Sequence, residues 1–310
     1  MVILHGYIFS RHFNEKKSML KRPPFLLSSN VAWISVAIIL LLIVAVIMWP
    51  QPTTPKNVGG GGVAIVSMMK DPKNMNVWLD RHRKIGIQHF YIRLEDSNKV
   101  APYLQSQSDV TVQLGESTGI NEYDNIQVRQ DTWVNEALKL AAKSHSSLEW
   151  MIHIDSDEIV VGDLTQLQQL PDQVRTVWFQ NVEAKFHDIP SVKDSCFDAA
   201  RFVNCAEEPG QCAAYGNGKS AGRIASDVSA HGPHRFKSSR SGETDQKMDK
   251  IFVEHYESCD FDLYKKKFKS LAVQDKKMNI PFSYYNESIE AAKSGSDADL
   301  EKVYRKYRVQ

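Results

Sequence analysis

Asp155-Ser156-Asp157-Glu158 sets three carboxylates within four positions, directly after the apolar run Trp150-Met151-Ile152-His153-Ile154. On an extended chain, residues two apart share a face, so Asp155 and Asp157 can aim at one point. Hard oxygen ligands converging at a strand end suit Mn2+ or Mg2+ carrying a phosphorylated ligand. The run before them alternates Trp150, Ile152 and Ile154 to one side and Met151 and His153 to the other, the pattern of a strand buried on both faces. A bare Asp-x-Asp is common, and most instances are polar loops after core strands. The elements around it decide its meaning.

Those elements form a repeating pattern. Val63–Met69 reads as a buried strand running into Lys70-Asp71-Pro72, followed by a helix over 74–84 that Gly86 closes. A second strand, 88–94, ends in Glu95-Asp96-Ser97, and a helix around 98–107 leads to a third strand, 110–114. A long helix over about 126–144 carries Arg129 and Gln130 near its amino end, and 151–154 is the fourth strand. Strands alternating with helices imply an α/β fold, a mostly parallel Rossmann-like sheet flanked by helices. Ligands of such sheets sit beyond the carboxyl ends of the strands. Lys70, Asp71, Glu95, Asp96, Glu116 and Asp155 to Glu158 fall there, with Arg129 and Gln130 in reach of the same rim.

Further along, 173–180 reads as a strand running into Asn181-Val182-Glu183-Ala184, and 187–217 is loop-rich. Asn217-Gly218-Lys219-Ser220 with Arg223 follows, and then His231-Gly232-Pro233-His234, whose two histidines three apart across Gly-Pro lie on a turn. His255-Tyr256 precedes a helix whose lysines 265, 266, 267 and 269 read as a solvated face.

The first sixty residues differ from the rest. Val31–Trp49 is nineteen residues with one serine and no charge, enough to cross a hydrocarbon core of ~30 Å as a helix. Arg11, Lys16, Lys17, Lys21 and Arg22 precede it against a single Glu15, so the positive-inside rule keeps 1–30 cytosolic and sends the remainder across. A cleaved signal peptide is the competing reading, but no small-x-small cleavage site stands before Pro50. Residues 50–62 are a short Pro/Gly stem. The four glycines 59–62 precede the first strand, the wrong side for a dinucleotide fingerprint. A formal net charge of +1 gives no reason to expect a nucleic-acid partner. Cys196, Cys205, Cys212 and Cys259 follow the span, where disulfides persist; four cysteines allow three full pairings, and at least one local bridge is expected among the first three. A zinc site competes, without any Cys-x-x-Cys pair to support it.

Over roughly 63–275 the ordered blocks resemble a GT-A-fold glycosyltransferase of the family 2-like and family 92-like kind. Val63–Asp71 looks like the opening strand of that family, and Trp78-Leu79-Asp80-Arg81-His82 with Gly86–Ile92 is similar to the stretch before its second strand. Met151–Glu158 looks like the metal-binding Asp-x-Asp with its trailing Glu. Asn181–Ala184, Gly218–Ser220, His231–His234 and His255-Tyr256 are similar to later blocks. Asp71-Pro72 stands where the family usually has Asn-Glu, and Leu94-Glu95-Asp96 where it has Asp-Asn-Gly.

The resemblance implies transfer of a sugar from a nucleotide-sugar to a hydroxyl of a glycan, protein or lipid acceptor. It implies Mn2+ or Mg2+ on Asp155 and Asp157, with His234, or else His231, completing the shell. Lys219 and Arg223 become candidate phosphate partners, Glu95 and Asp96 candidate contacts to nucleobase or ribose, and Glu183 or Glu158 the acceptor base. The implied layout is a tail over 1–30, a transmembrane helix over 31–49, a stem over 50–62, a GT-A domain over 63–280 and a helical tail over 281–310. In a cell with a secretory route, such a type II protein places its domain in the endoplasmic reticulum or Golgi lumen. Two alternatives stand beside this: a protein that binds glycan or nucleotide without turnover, and a nucleotidyltransferase. The latter usually shows a Gly-rich loop after the first strand, which Ser67–Lys70 is not.

Overall fold

A computed structural model describes residues 61–117, 125–190, 195–205, 207–208, 211–240, 244–273 and 282–310. The expected tail and membrane span, and nearly all of the stem, lie outside these residues. Among the described residues no helix is long and apolar enough to cross a membrane.

The first half follows the alternation of the sequence: β1 (Gly62–Met69), α1 (Met75–Lys84), β2 (Ile87–Glu95), α2 (Ala101–Gln105), β3 (Val110–Gly115), α3 (Ile126–Ser144) and β4 (Leu148–His153). Then come β5 (Glu158–Gly162), α4 (Thr165–Gln168), β6 (Val174–Phe179), β7 (Asn181–Lys185), β8 (Arg201–Asn204) and β9 (Lys219–Arg223). Last are β10 (Val228–Ala230), β11 (Phe236–Ser238), β12 (Thr244–Lys247), β13 (Ile251–His255), α5 (Phe261–Ala272), α6 (Ser283–Lys293) and α7 (Asp297–Arg308).

Seven strands in the order β12-β6-β9-β4-β1-β2-β3 make the main sheet, mixed α/β and mostly parallel, with β9 alone reversed. The period-2 pattern of β1 and β4 builds its two cores. Val63, Ile65, Trp150 and Ile152 pack with Trp78 and Leu79 of α1 on one face. Ala64, Val66 and Met151 pack with Trp133 and Val134 of α3 on the other. Both tryptophans are also anchored by hydrogen bonds, Trp133 Nε1 donating to Ser67 O at 3.0 Å and Trp78 Nε1 to Glu158 O at 2.8 Å.

A second sheet, β5-β13-β7-β8, stands against the first, and a hairpin of β10 and β11 completes the strands. Gln180 alone separates β6 from β7, so the chain changes sheets there in one residue. Helix α1 ties the two sheets together. His82 Nε2 accepts from Val160 N at 3.0 Å, while Nδ1 faces Trp78 O at 2.8 Å. A carbonyl only accepts, so the ring is neutral with its proton on Nδ1. Helices α6 and α7 share the main core with α5 through Tyr264, Tyr284, Leu300 and Tyr304, and Tyr264 Oη donates to Ser288 Oγ at 2.9 Å.

Candidate functional site

A cleft of about 290 Å3 opens beyond the carboxyl ends of β1, β2 and β4. Lys70, Asp71, Glu95, Arg129, Gln130, Asp155 and Asp157 all line it, so the strand-end rule collects seven of the expected residues at one place. Strands β1 and β2 both leave the sheet through an aspartate in the left-handed region, Asp71 (φ 46°) and Asp96 (φ 50°), a conformation aspartate tolerates better than most residues. Asp71 N donates to Ser97 Oγ at 2.7 Å, and Lys70 Nζ to Asp96 Oδ2 at 3.0 Å. Asp96 braces this rim; Ser117 also donates to it from both N and Oγ. Buried Glu95 accepts Arg129 Nε on both oxygens, at 3.0 and 3.1 Å.

The acidic run divides its work. Asp155 accepts from Lys219 Nζ at 2.6 Å and from Gln130 Nε2 at 3.1 Å. Burial opposes its charge, yet Lys219 and then His153 hold its carboxyl down at about 2. Glu158 is fully buried, accepting from Asp155 N at 2.7 Å, from Lys219 at 3.2 Å and from Tyr215 Oη; burial pushes it up to about 7. Asp157 faces the cleft, and burial raises its carboxyl while His255 partly offsets that. Opposite it, His255 Nε2 lies 3.7 Å from Asp157 Oδ2 and 3.9 Å from Glu257 Oε2.

Among the described residues, Asp157, His255 and Glu257 are the group able to hold a metal ion, their ligand atoms all within 4.8 Å of one another. The donor set fits a divalent cation. Two carboxylates and one imidazole suit Mn2+. The other ring nitrogen of His255 is taken by Glu183 Oε2 at 3.1 Å, the usual way a ligating histidine is oriented.

Several expected placements are corrected by this arrangement. Lys219 and Arg223, expected as phosphate partners, lie on β9, buried along its whole length. Lys219 meets the cleft only through Asp155. Arg223 is the register partner of Trp150, toward the amino end of β4, and its guanidinium is spent on Val174 O at 2.8 Å, Leu170 O at 2.8 Å and Glu149. The metal-competent trio contains neither His234 nor His231 nor Asp155. His234 Nδ1 donates to Gly218 O at 3.0 Å and its ring packs on Tyr215, 4.2 Å between centroids, while His231 is exposed on its turn. Glu183 and Glu158 are fully buried and do not line the cleft; Glu183 is held by Arg308 Nη1 at 2.7 Å and by His255.

Sequence reasoning missed His255 and Glu257 as a pair. The signal was present: like Asp155 and Asp157, they stand two apart at a strand end. It also read the lysines of α5 as a solvated face. Lys266 and Lys267 instead line the cleft, pairing with Asp71 at 3.1 Å and Glu257 at 2.9 Å. Disulfide Cys196–Cys259 lines the cleft as well, and the expected local bridge is Cys205–Cys212.

No protein-family model matches the chain. Two glycosyltransferase-like proteins of Arabidopsis thaliana match it over 223 residues at 23% and 22% identity, 58% of this chain in each case. This chain is similar to glycosyltransferase-like proteins. It spans 49% and 43% of their lengths, about half or less. Among solved structures, mannosyltransferase PcManGT from Pyrobaculum calidifontis, in complex with GDP-Man and Mn2+, aligns with 89% of this chain and 83% of its own, at 12% identity and a TM-score of 0.36. The Rv0371C protein of Mycobacterium tuberculosis H37Rv, in complex with manganese, aligns with 39% of this chain and 66% of its own, at 11% identity and a TM-score of 0.26.

Proposed function

We propose that this chain is a metal-dependent glycosyltransferase, moving a sugar from a nucleotide-sugar donor to a hydroxyl of a glycan or glycoconjugate acceptor. One observation carries the reading: Asp157 and Glu257 line a cleft together with Lys70, Lys266, Lys267 and Arg129, and buried His255 directs Nε2 at both carboxylates from behind. Carboxylates around a cation position, ringed by cationic side chains, suit a diphosphate bridging the two. Similarity to glycosyltransferase-like proteins supports the same reaction.

In the reaction, the anomeric carbon–phosphate oxygen bond breaks, a bond from that carbon to the acceptor oxygen forms, and the acceptor proton is released. A divalent ion on the trio would neutralise charge developing on the departing diphosphate. On this reading Lys70, Lys266 and Lys267 contact the phosphates, Glu95 with Arg129 the nucleoside, and Asp155, fixed by Lys219 and Gln130, the ribose or the metal edge. We further propose that residues 31–49 anchor the chain in a membrane with the catalytic part in a Golgi or endoplasmic reticulum lumen. The two disulfides support an oxidising compartment.

A second reading has its own observation. Glu158 and Glu183, the two carboxylates expected as acceptor base, are both buried away from the cleft, which favours a protein that binds a nucleotide or glycan without turning it over. Incubating the full chain with Mn2+ and a panel of nucleotide-sugars and acceptors separates the two. Release of nucleotide that disappears in the Asp155→Ala, Asp157→Ala double variant supports transfer. Equal release from both proteins across the panel overturns it, and retained nucleotide binding would then favour the binding-only reading.

A further inference from the structure

One register row across the second sheet reads Glu158 on β5, His255 on β13 and Glu183 on β7. Register partners on neighbouring strands put their side chains on the same face, about 5 Å apart. The row therefore sets the imidazole between two carboxylates. Glu183 takes His255 Nδ1 on Oε2 at 3.1 Å, which leaves Nε2 directed to Asp157 and Glu257. Its other oxygen, Oε1, accepts from Arg308 Nη1 at 2.7 Å. Glu183 and Arg308 are both 0% exposed.

Arg308 arrives from the end of α7, and the backbone there is fastened to the end of β7. Phe186 N donates to Arg308 O at 2.8 Å, Gln310 N to Phe186 O at 3.0 Å, and Lys185 Nζ to Tyr307 O. The guanidinium lies 5.3 Å over the Phe186 ring, and its Nε and Nη2 have no hydrogen-bond partner among the described residues. For stability alone this is a poor design. A buried ion pair with unpaired donors is commonly matched or exceeded by an apolar pair of the same volume. What the pair does provide is a fixed carboxylate behind His255.

We propose that Arg308 is a positioning residue for the metal site. By clamping Glu183 it holds His255 with Nδ1 engaged and Nε2 aimed at the point shared by Asp157 and Glu257. The inference rests on the reading of that trio as a cation site, and it links the last described helix to the cleft through two buried side chains. Carboxylates behind ligating histidines tune metal affinity, and their loss typically costs about 10–100-fold.

The test uses the full chain with Arg308→Lys, Arg308→Met and the Glu183→Gln, Arg308→Met double variant, each checked by thermal melting. Mn2+ affinity is measured by calorimetry, and the ring nitrogens of His255 by 15N NMR without metal. Arg308→Met is expected to weaken Mn2+ binding about 10–100-fold and to shift the His255 ring signals, with Arg308→Lys recovering part of both. The double variant leaves no buried charge unpaired, so it regains thermal stability while Mn2+ binding stays weak. Mn2+ affinity in the double variant within about twofold of wild type, on that same scale, would make Arg308 merely structural and overturn the proposal. Should the wild-type chain bind no Mn2+, the metal reading falls. The clamp is then judged on NMR alone, and unchanged His255 signals in Arg308→Met, or in the double variant if that one does not fold, overturn it.

Discussion

The two walls of the cleft are built differently. On the side of the main sheet, Lys70, Asp71 and Asp96 sit at strand ends with roughly a third to a half of each side chain exposed, and they pair with one another or across to α5. On the side of the second sheet, Asp157 and Glu257 face the cleft, and behind them Glu158, His255, Glu183 and Arg308 are buried out of it, each fixing its neighbour's charge or ring orientation. The exposed pairs of the first wall can rearrange around a ligand at little cost, because such pairs are worth little and are screened, while Glu95 and Gln130 beside them are buried. The second cannot. A buried charge row is held or lost as a unit, because removing one member leaves its neighbour's charge buried and unpaired.

The largest effect should come from breaking the buried row. Glu183→Ala strands Arg308 without a carboxylate and is expected to lower stability by about 3–5 kcal/mol, read as a shift in denaturant midpoint. A loss below about 1 kcal/mol would mean the second wall is as soft as the first.

The seam between the walls gives a smaller, pH-dependent effect. Burial holds His82 neutral, its pKa lowered to about 3. Unfolded, the ring takes up a proton near 6.5, so below that pH the unfolded state binds more protons. Stability from this group is complete above pH 6.5 and falls on the way toward pH 3, by about 1.4 kcal/mol per pH unit. Comparing stability profiles of wild type and His82→Gln between pH 7 and pH 4 isolates the contribution. Parallel profiles would show that His82 is not held neutral in the folded protein.

The smallest stability effect belongs to the exposed wall. Lys70→Ala should change stability by less than about 1 kcal/mol while weakening nucleoside diphosphate affinity roughly tenfold. A stability loss as large as that of Glu183→Ala would erase the contrast between the walls.

The same contrast explains what could be read from residues alone. The β1–β4 part of the main sheet alternates strand and helix along the chain, its faces alternate, and its polar ends announce themselves, so Lys70, Asp71, Glu95, Arg129, Gln130, Asp155 and Asp157 are found together. The second sheet is assembled from segments far apart, His255 beside Glu158 and Glu183, and Glu183 beside Arg308. No periodicity reports such pairings. Glu183 was therefore legible as a functional carboxylate but not as a buried support for a histidine, and Lys219 as a cation near phosphate but not as the buried partner of Asp155 and Glu158. The α5 lysines misled for the same reason: only the fold shows that two of them turn toward the cleft and two toward Asp297.

The central claim is that both walls serve one ligand, a nucleoside diphosphate held on one side and its cation on the other. Calorimetric titration of a panel of nucleoside diphosphates into the full chain, with and without Mn2+, tests it most directly. At least one diphosphate should bind about tenfold or more tightly with Mn2+, a gain of about 1.4 kcal/mol, and Asp157→Asn should abolish that gain. Equal affinity with and without Mn2+ for every diphosphate tried would contradict the account.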